Sequence, residues 1–418
     1  MVVIAKRAEK KSLNIFYGWW IVAAATAGQV IAGGVSHYGL SAFFQPLLDA
    51  LKCDRATLSG AFSLKNLESG LLGPIDGFLV DRFGPRKIVA VGAFMAGLGF
   101  FAMSFINSLI QFYGVIAIMA CGLGLAFNVA MQTAVANWFR RKRGLTIGIF
   151  QSGMAAAVVA VPLISITIIQ RGFRFAALAI AIFIWVVTIP IVIILRDSPE
   201  PYGLLPDGDN AKVKTNNAIS KEEGGFTVKE ALATPAFWIL SIAFSLRLMV
   251  TVALTTHLLP YLVDIGFNQA TAAVGLGSVA AVSCLGRLGF GWLGDRISKK
   301  YVIAGLMGSL ILSLLFLTQI KNVLQMFLFI GLYAPSYGGL AVLMQSIRAE
   351  YFGRKAYGSI MGYMNLVSFL GTFVGPIFAG WVWERTGSYK TAFLIFAATT
   401  LVALLMMFFV RKPKPKTA

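Results

Sequence analysis

Twelve runs of about 20 to 28 mostly apolar residues, parted by short polar segments, leave this chain few ways to fold. A helix needs about 20 residues to cross a ~30 Å hydrocarbon layer, where every backbone N–H and C=O has to be bonded internally. The runs predict transmembrane helices over 17–44, 57–80, 88–107, 109–137, 144–170, 173–195, 235–263, 270–294, 301–319, 322–350, 357–383 and 390–410. Glycine and proline within them do not argue against helix, because membrane helices tolerate both. Only 13% of the residues are charged, about half the share of a soluble domain.

The net charge of +19 raises the question of a nucleic-acid partner, and its distribution excludes one. With the N-terminus placed in the cytoplasm, 26 of the 36 Lys and Arg fall on the cytoplasmic side. Seven fall on the opposite side, and Lys65, Arg247 and Arg287 remain inside spans. This is the positive-inside bias that orients membrane proteins, and it predicts cytoplasmic N- and C-termini. The expected location is a bacterial inner (cytoplasmic) membrane. The start "MVVIAKRAEKKSLNIFYGWW" is too charged, and the first span too long, for a cleaved signal peptide. The tail "RKPKPKTA" reads as a basic flank without a lipidation box. Cys53, Cys121 and Cys284 have no pairing or metal-ligand spacing. No zinc, phosphate-loop or nucleophile–base signature occurs in any loop, so neither an enzyme nor a cofactor or metal is expected.

The chain is written twice. "GFLVDRFGPRK" (77–87) realigns at an offset of 214 with "GWLGDRISKKY" (291–301), placing Gly77 on Gly291, Asp81 on Asp295 and Arg82 on Arg296. The same shift sets Pro46 on Pro260, and an offset of 213 sets "WFRRK" (138–142) on "YFGRK" (351–355). Between the copies lies a polar stretch containing "RDSPEPYGLLPDGDNAKVKTNNAISKEEGG", which reads as a linker. The expected organisation is a six-helix bundle over 1–195, a cytoplasmic linker over 196–234, and a second six-helix bundle with a basic tail over 235–418. Such internal repeats are associated with transporters whose site lies between the halves.

These residues resemble a family. "GFLVDRFGPRK" is similar to the G-x-x-x-D-R-x-G-x-R-K loop of the major facilitator superfamily, and the copy after span eight resembles its degenerate second occurrence. "YGWWIV" (17–22), "NWFRRKRGLTIGIFQSG" (137–153) and an arginine in span eight resemble the monocarboxylate and oxalate/formate transporter branch. The resemblance covers the whole chain. It implies an all-α integral membrane protein of twelve helices in two six-helix pseudo-repeats. It also implies a gating role for Asp81, Arg82 and Arg86, with Asp295 and Arg296 in the second copy, through interhelical ion pairs that break between access states. The competing reading makes these charges topological anchors only.

The charges inside the spans carry the functional expectation. Arg287 stands eight residues before Asp295, roughly 12 Å into the layer, too deep for easy snorkelling. It aligns with Gly73, so the charge exists in one copy alone. A guanidinium is always charged and grips two carboxylate oxygens at once. In the monocarboxylate branch an arginine at this place holds the substrate carboxylate; the alternative is a structural ion pair with Glu68 or another group. Glu68 and Lys65 lie three apart on one helix face. Glu68 is the leading proton carrier, with a permanent salt bridge to Lys65 or Arg247 as the competing reading. His257 is a second candidate, against a packing role near the outer end of its span. Asn128, His37, Tyr38, Tyr333, Tyr337, Tyr363 and Asn365 offer hydrogen bonds to a small acid, or else to neighbouring helices. The resemblance places spans one, four, seven and ten along the pathway, which favours Asn128 and the Tyr333/Tyr337 pair.

Two absences narrow the class. The glycine-proline motif that drug antiporters carry in span five is replaced by "GMAAAVVAVP", and no lysine falls between Lys355 and Lys390, where oxalate exchangers carry one in span eleven. The expectation is a proton-coupled symporter of a small monocarboxylate of the lactate or pyruvate kind, whose partners are the acid, protons and the bilayer. Moving an anion inward against 100 mV costs about 2.3 kcal/mol, which a co-transported proton cancels. An organic-anion exchanger or exporter without proton coupling, and a non-transporting receptor, stay open.

Overall fold

The computed structural model describes residues 16–54, 57–58, 60–61, 70–208 and 225–413, without the side chains of His37, Tyr38 and Val158. Every regular element among them is helical. We number the long helices α1 (Gly18–Leu51), α2 (Gly73–Phe83), α3 (Pro85–Met103), α4 (Leu109–Trp138), α5 (143–171), α6 (173–194), α7 (Pro235–Asp264), α8 (Gln269–Gly294), α9 (Lys299–Leu317), α10 (Val323–Phe352), α11 (Tyr357–Thr386) and α12 (Lys390–Phe409). Among the described residues, ten helical runs are long and apolar enough to cross a membrane. One of these is the 52-residue run Arg143–Ile194, which turns back at Gly172 with φ 81° and so holds both α5 and α6. Of span two, 59 and 62–69 lie outside the described residues, and its long helical part is α2.

Local chemistry sets the boundaries. Ser108, Thr234, Asn268 and Asn322 each precede a helix in extended conformation, and their side chains accept the N–H of Gln111, Phe237, Thr271 and Gln325. This satisfies donors that a helix start leaves open. Two helices contain π-turns, Ala32–Tyr38 in α1 and Leu125–Val129 in α4. Such turns often mark functional positions, and these two carry His37, Tyr38 and Asn128.

The buried apolar side chains form two main cores. One runs from Ile21 to Leu195, joined by Val342, and the other from Phe226 to Val410. The outer surface is itself apolar, with Ile110, Ile169, Leu285 and Phe409 exposed, as contact with lipid requires. The two sets of helices meet along α2 against α11 and α5 against α8. Both contacts are glycine to backbone. A Cβ on Gly77 would strike the Gly358 carbonyl, and one on Gly144 would strike the Gly291 carbonyl. Side-chain-free faces let helix backbones approach this closely.

The linker is docked rather than free over its described part. Trp138 Nε1 and Asn137 Nδ2 donate to the carbonyls of Arg196 and Asp197 at 3.0 Å each. The Arg196 guanidinium lies between the rings of Tyr17 and Tyr202, 3.9 and 4.0 Å from their centroids. Asp207 accepts three consecutive backbone N–H groups, from Arg140, Arg141 and Lys142. We call this end of the bundle the linker side. Both ends of the described chain lie there: Tyr17 against Arg196, and Val410 against Lys300.

Candidate anion-binding site

The two arginines expected inside the second half come together around one aromatic ring. Arg287, on α8, is 8% exposed and Arg247, on α7, is 2% exposed. Their Cζ atoms lie 5.8 and 5.6 Å from the centroid of Tyr337, on α10. Among the described residues each guanidinium makes one hydrogen bond, and both go to main-chain carbonyls. Arg287 Nη1 donates to Gln151 across the two halves, and Arg247 Nη2 donates to Tyr337, at 2.8 Å each. The Nε of each is buried with no partner. Among the described residues no carboxylate pairs with either, so the expected alternative of a salt bridge finds no partner there; Glu68 and Lys65 lie outside the described residues. An unpaired charge in a membrane interior is costly and ordinarily faces a ligand, water or a counter-ion.

Tyr333 and Tyr337 share a face of α10, as their spacing predicts, and stack with Phe329 above them. The ring centroids are 5.3 Å apart for Phe329–Tyr333 and 5.9 Å for Tyr333–Tyr337. The first half contributes amides. Gln29 of α1 donates to Gln151 of α5 at 3.4 Å, and Gln151 donates to Gln345 of α10 at 2.9 Å. Gln151 therefore touches both Arg287, through its carbonyl, and Gln345, through its side chain. Sequence reasoning passed over all three glutamines, because a neutral amide in an apolar run gives no sign of the face it occupies.

Other expected residues stand apart from this cluster. Asn128 is exposed on the π-turn of α4. Tyr363 is 37% exposed, and no contact among the described residues links it to the guanidiniums. Asn365 lies against α2 at Gly73. The side chains of His37 and Tyr38 fall outside the described residues. His257 lies ten residues beyond Arg247, roughly 15 Å along α7. Its Nε2 faces the Pro376 carbonyl at 3.0 Å and its Nδ1 faces the Tyr389 hydroxyl at 3.2 Å. A carbonyl only accepts, so Nε2 carries a proton, while the tyrosine hydroxyl can either donate to Nδ1 or accept from it. Both nitrogens thus have partners, a tie between α7 and α11.

Two buried charges escaped the sequence reading. Asp76, next to Gly77 on α2, is 5% exposed. Arg348 had been counted with the basic flank after span ten. That placement is wrong: Arg348 already falls within the expected span 322–350, and in the structure it lies inside α10, 1% exposed.

The carboxylates expected to gate join the two halves on the linker side by a different bond from the ion pairs expected. Asp81 accepts the N–H groups of Gly358 and Ser359, the start of α11, at 2.9 and 2.7 Å. Asp295 accepts those of Gly144 and Leu145, the start of α5, at 2.7 and 2.8 Å. Each carboxylate crosses from its own half to the other. A helix start presents unpaired N–H groups and the positive end of its dipole, so it suits a carboxylate as a guanidinium does. The basic members are engaged elsewhere. Arg82 lies over Phe78 and Phe83, Arg86 donates to the Val192 carbonyl within its own half, and Arg296 covers Trp292. Burial pushes the Asp295 carboxyl above its ordinary range, while the N–H groups of Leu145 and Gly144, then Lys299, draw it down.

Comparison with known proteins agrees with this architecture. The family model of the Major Facilitator Superfamily matches residues 24–336 and 281–418. The chain is 25% identical over 402 residues to the oxalate:formate antiporter of Oxalobacter formigenes, covering 94% of this chain and 91% of that protein. It is 24% identical over 417 residues to monocarboxylate transporter 12-B of Danio rerio, covering 94% and 86%. The structure of the proton:xylose symporter XylE superposes with TM-score 0.74 at 15% identity, covering 96% of this chain and 97% of that one. That of the human organic anion transporter MFSD10 gives 0.72 at 13% identity, covering 93% and 99%. With a family model matched along most of its length and the fold shared by these carriers, the chain belongs to the Major Facilitator Superfamily.

Proposed function

We propose that the protein is an exchanger of small organic anions, with Arg287 and Arg247 as the carboxylate anchors. The observation that carries this reading is the pair of buried guanidiniums around Tyr337, each with an idle Nε and no carboxylate partner among the described residues. A carboxylate is the group that two such forks take bidentately. Arg247 supplies the second cationic anchor that span eleven lacks, so acids with one or two carboxyl groups both fit. Exchange follows from electrostatics. An empty carrier would have to reorient with two desolvated positive charges, whereas a bound anion neutralises at least one of them before the halves rock. Relatives named as an oxalate:formate antiporter and a monocarboxylate transporter agree with the substrate class. In the proposed orientation the linker side is cytoplasmic.

Proton-coupled symport is the second reading, and Asp76 favours it, as a buried carboxyl on α2 with no cation paired to it among the described residues. One experiment separates the two. Proteoliposomes are preloaded with unlabelled formate, oxalate or lactate, and uptake of the same 14C-labelled acid is followed with and without an imposed pH gradient. Exchange requires uptake that depends on the preload and ignores the gradient. Uptake into empty vesicles driven by the gradient would replace exchange with symport. Arg287→Gln should abolish uptake and Arg287→Lys should lower it at least tenfold, about 1.4 kcal/mol of lost bidentate contact. Normal uptake by Arg287→Gln would sink both readings.

A further inference from the structure

Arg348 has no role in the site described so far, yet it is the least exposed of the three arginines buried in α7, α8 and α10. Its Nη2 is buried without a hydrogen-bond partner. Among the described residues the one polar contact of the group is Nη1 to the Met361 sulfur at 3.8 Å, a weak acceptor. Its Cζ lies 3.9 Å from the centroid of the Phe244 ring, and Arg247 lies 5.9 Å from the same centroid. With Tyr337 between Arg247 and Arg287, the three guanidiniums and two rings form one series: Arg287, Tyr337, Arg247, Phe244, Arg348.

The series leads toward the linker side. Arg348 is four residues from the linker-side end of α10, about 6 Å, whereas Arg247 is twelve residues into α7, about 18 Å. Side chains lean toward the N-terminus of their helix. That direction takes Arg348 inward from the linker side and Arg247 outward to meet it. The walls around Arg348 come from both halves. Met361 and Tyr357 of α11 pack with Ala349 of α10 and with Ala136 of α4. The Tyr357 hydroxyl accepts from Gln132 Nε2 of α4 at 2.9 Å. When the halves part on the linker side, α4 leaves α11 and this plug opens beside Arg348.

We propose that Arg348 is a second binding station for the substrate carboxylate, on the linker side of the Arg287–Arg247 pair. The anion passes from Arg247 to Arg348 around the edge of Phe244 before release. This rests on the anion-carrier reading and adds to it a site that is occupied only in the linker-open state. Its bare donors in the closed state are what such a station requires, because a permanent counter-ion would compete with the cargo. The competing account makes Arg348 a packing element stacked on Phe244.

The test uses the full-length protein in right-side-out and inside-out membrane vesicles, with 14C-labelled formate, oxalate or lactate as the exchanged probe. Arg348→Met keeps the length and the apolar contact with Phe244 but removes the charge. We expect it to raise the KM measured from the linker side at least tenfold. The KM from the opposite side should stay within twofold, and the melting temperature should not fall below that of the wild type, because an uncompensated buried charge is gone. Arg348→Lys should recover part of the linker-side affinity. Unchanged KM values at both faces for Arg348→Met would overturn the proposal. So would equal losses at both faces together with a lowered melting temperature, the mark of a packing role. Arg287→Gln is run alongside: loss of exchange from both faces sustains the carrier reading even where the Arg348 station fails, whereas normal exchange removes the carrier reading and the station together.

Discussion

A single arginine can be read from sequence when its charge contradicts its surroundings, and Arg287 does so in a run where the first repeat has Gly73. The same comparison would have found Arg348, which an offset of 213 places on Val135, a buried apolar residue of α4. It was missed because a charge two residues from the expected end of its span, at 350, was grouped with the basic flank that follows. Arg247 was legible as a charge, but its meeting with Arg287 around Tyr337 was not, because that depends on how α7, α8 and α10 cross. Removing Arg247 tests the pair. Arg247→Gln should weaken anion binding roughly ten- to a hundredfold, in keeping with about 1.5–3 kcal/mol for a hydrogen bond to a charged group, as measured by calorimetry on the purified protein. His257 belongs to a different class. Both its ring nitrogens are engaged by Tyr389 and Pro376, so His257→Phe should lower the melting temperature and leave the pH profile of transport where it was. A shifted profile would restore it as a proton carrier.

At the scale of the helix, the informative contacts are those where the halves share no side chains between them. Gly77 against Gly358, and Gly144 against Gly291, put backbone on backbone, and Asp81 and Asp295 then reach across to the exposed N–H groups beside them. The motif around Asp81 was plain in the sequence. Its partner was not, because the start of a helix is defined by backbone geometry rather than by a residue type. Asp81→Ala and Asp295→Ala should each weaken the closed linker side by about 0.5–2 kcal/mol, the usual worth of a helix cap. The two should add nearly independently when both are changed. Labelling of cysteines placed on the linker side would report the shift, and labelling that stays at the wild-type rate in the double variant would refute the closing role. Gly77→Val should hold the linker side open while the protein still purifies as a single species, because the added Cβ meets a carbonyl and not a movable side chain.

For the molecule as a whole, the apolar pattern announced the membrane fold, and the internal repeat announced its two parts. The linker was legible as a break, but its attachment was not. Glu200 in the linker pairs with Arg354 at 2.9 Å, and Arg354 also donates to the Asn137 carbonyl of the first half at the same distance. Burial raises the Glu200 carboxyl, yet hydrogen bonds from its own backbone and from Ser198, with the charge of Arg354, hold it below its ordinary range. Because the docked value is depressed, the tie is present above the ordinary glutamate range and is lost as pH falls through the depressed one. A fluorophore attached at Tyr202→Cys should register release only in that acid range, and at every pH in Arg354→Gln. The crossing carboxylates carry a consequence of another kind. Asp81 meets residues 358 and 359 while Asp295 meets 144 and 145, and each pair is the other displaced by 214. That reciprocity is the signature of an isologous dimer. The two halves thus meet through a self-complementary set of contacts, and synthesised as separate chains they should recognise one another without the peptide that joins them.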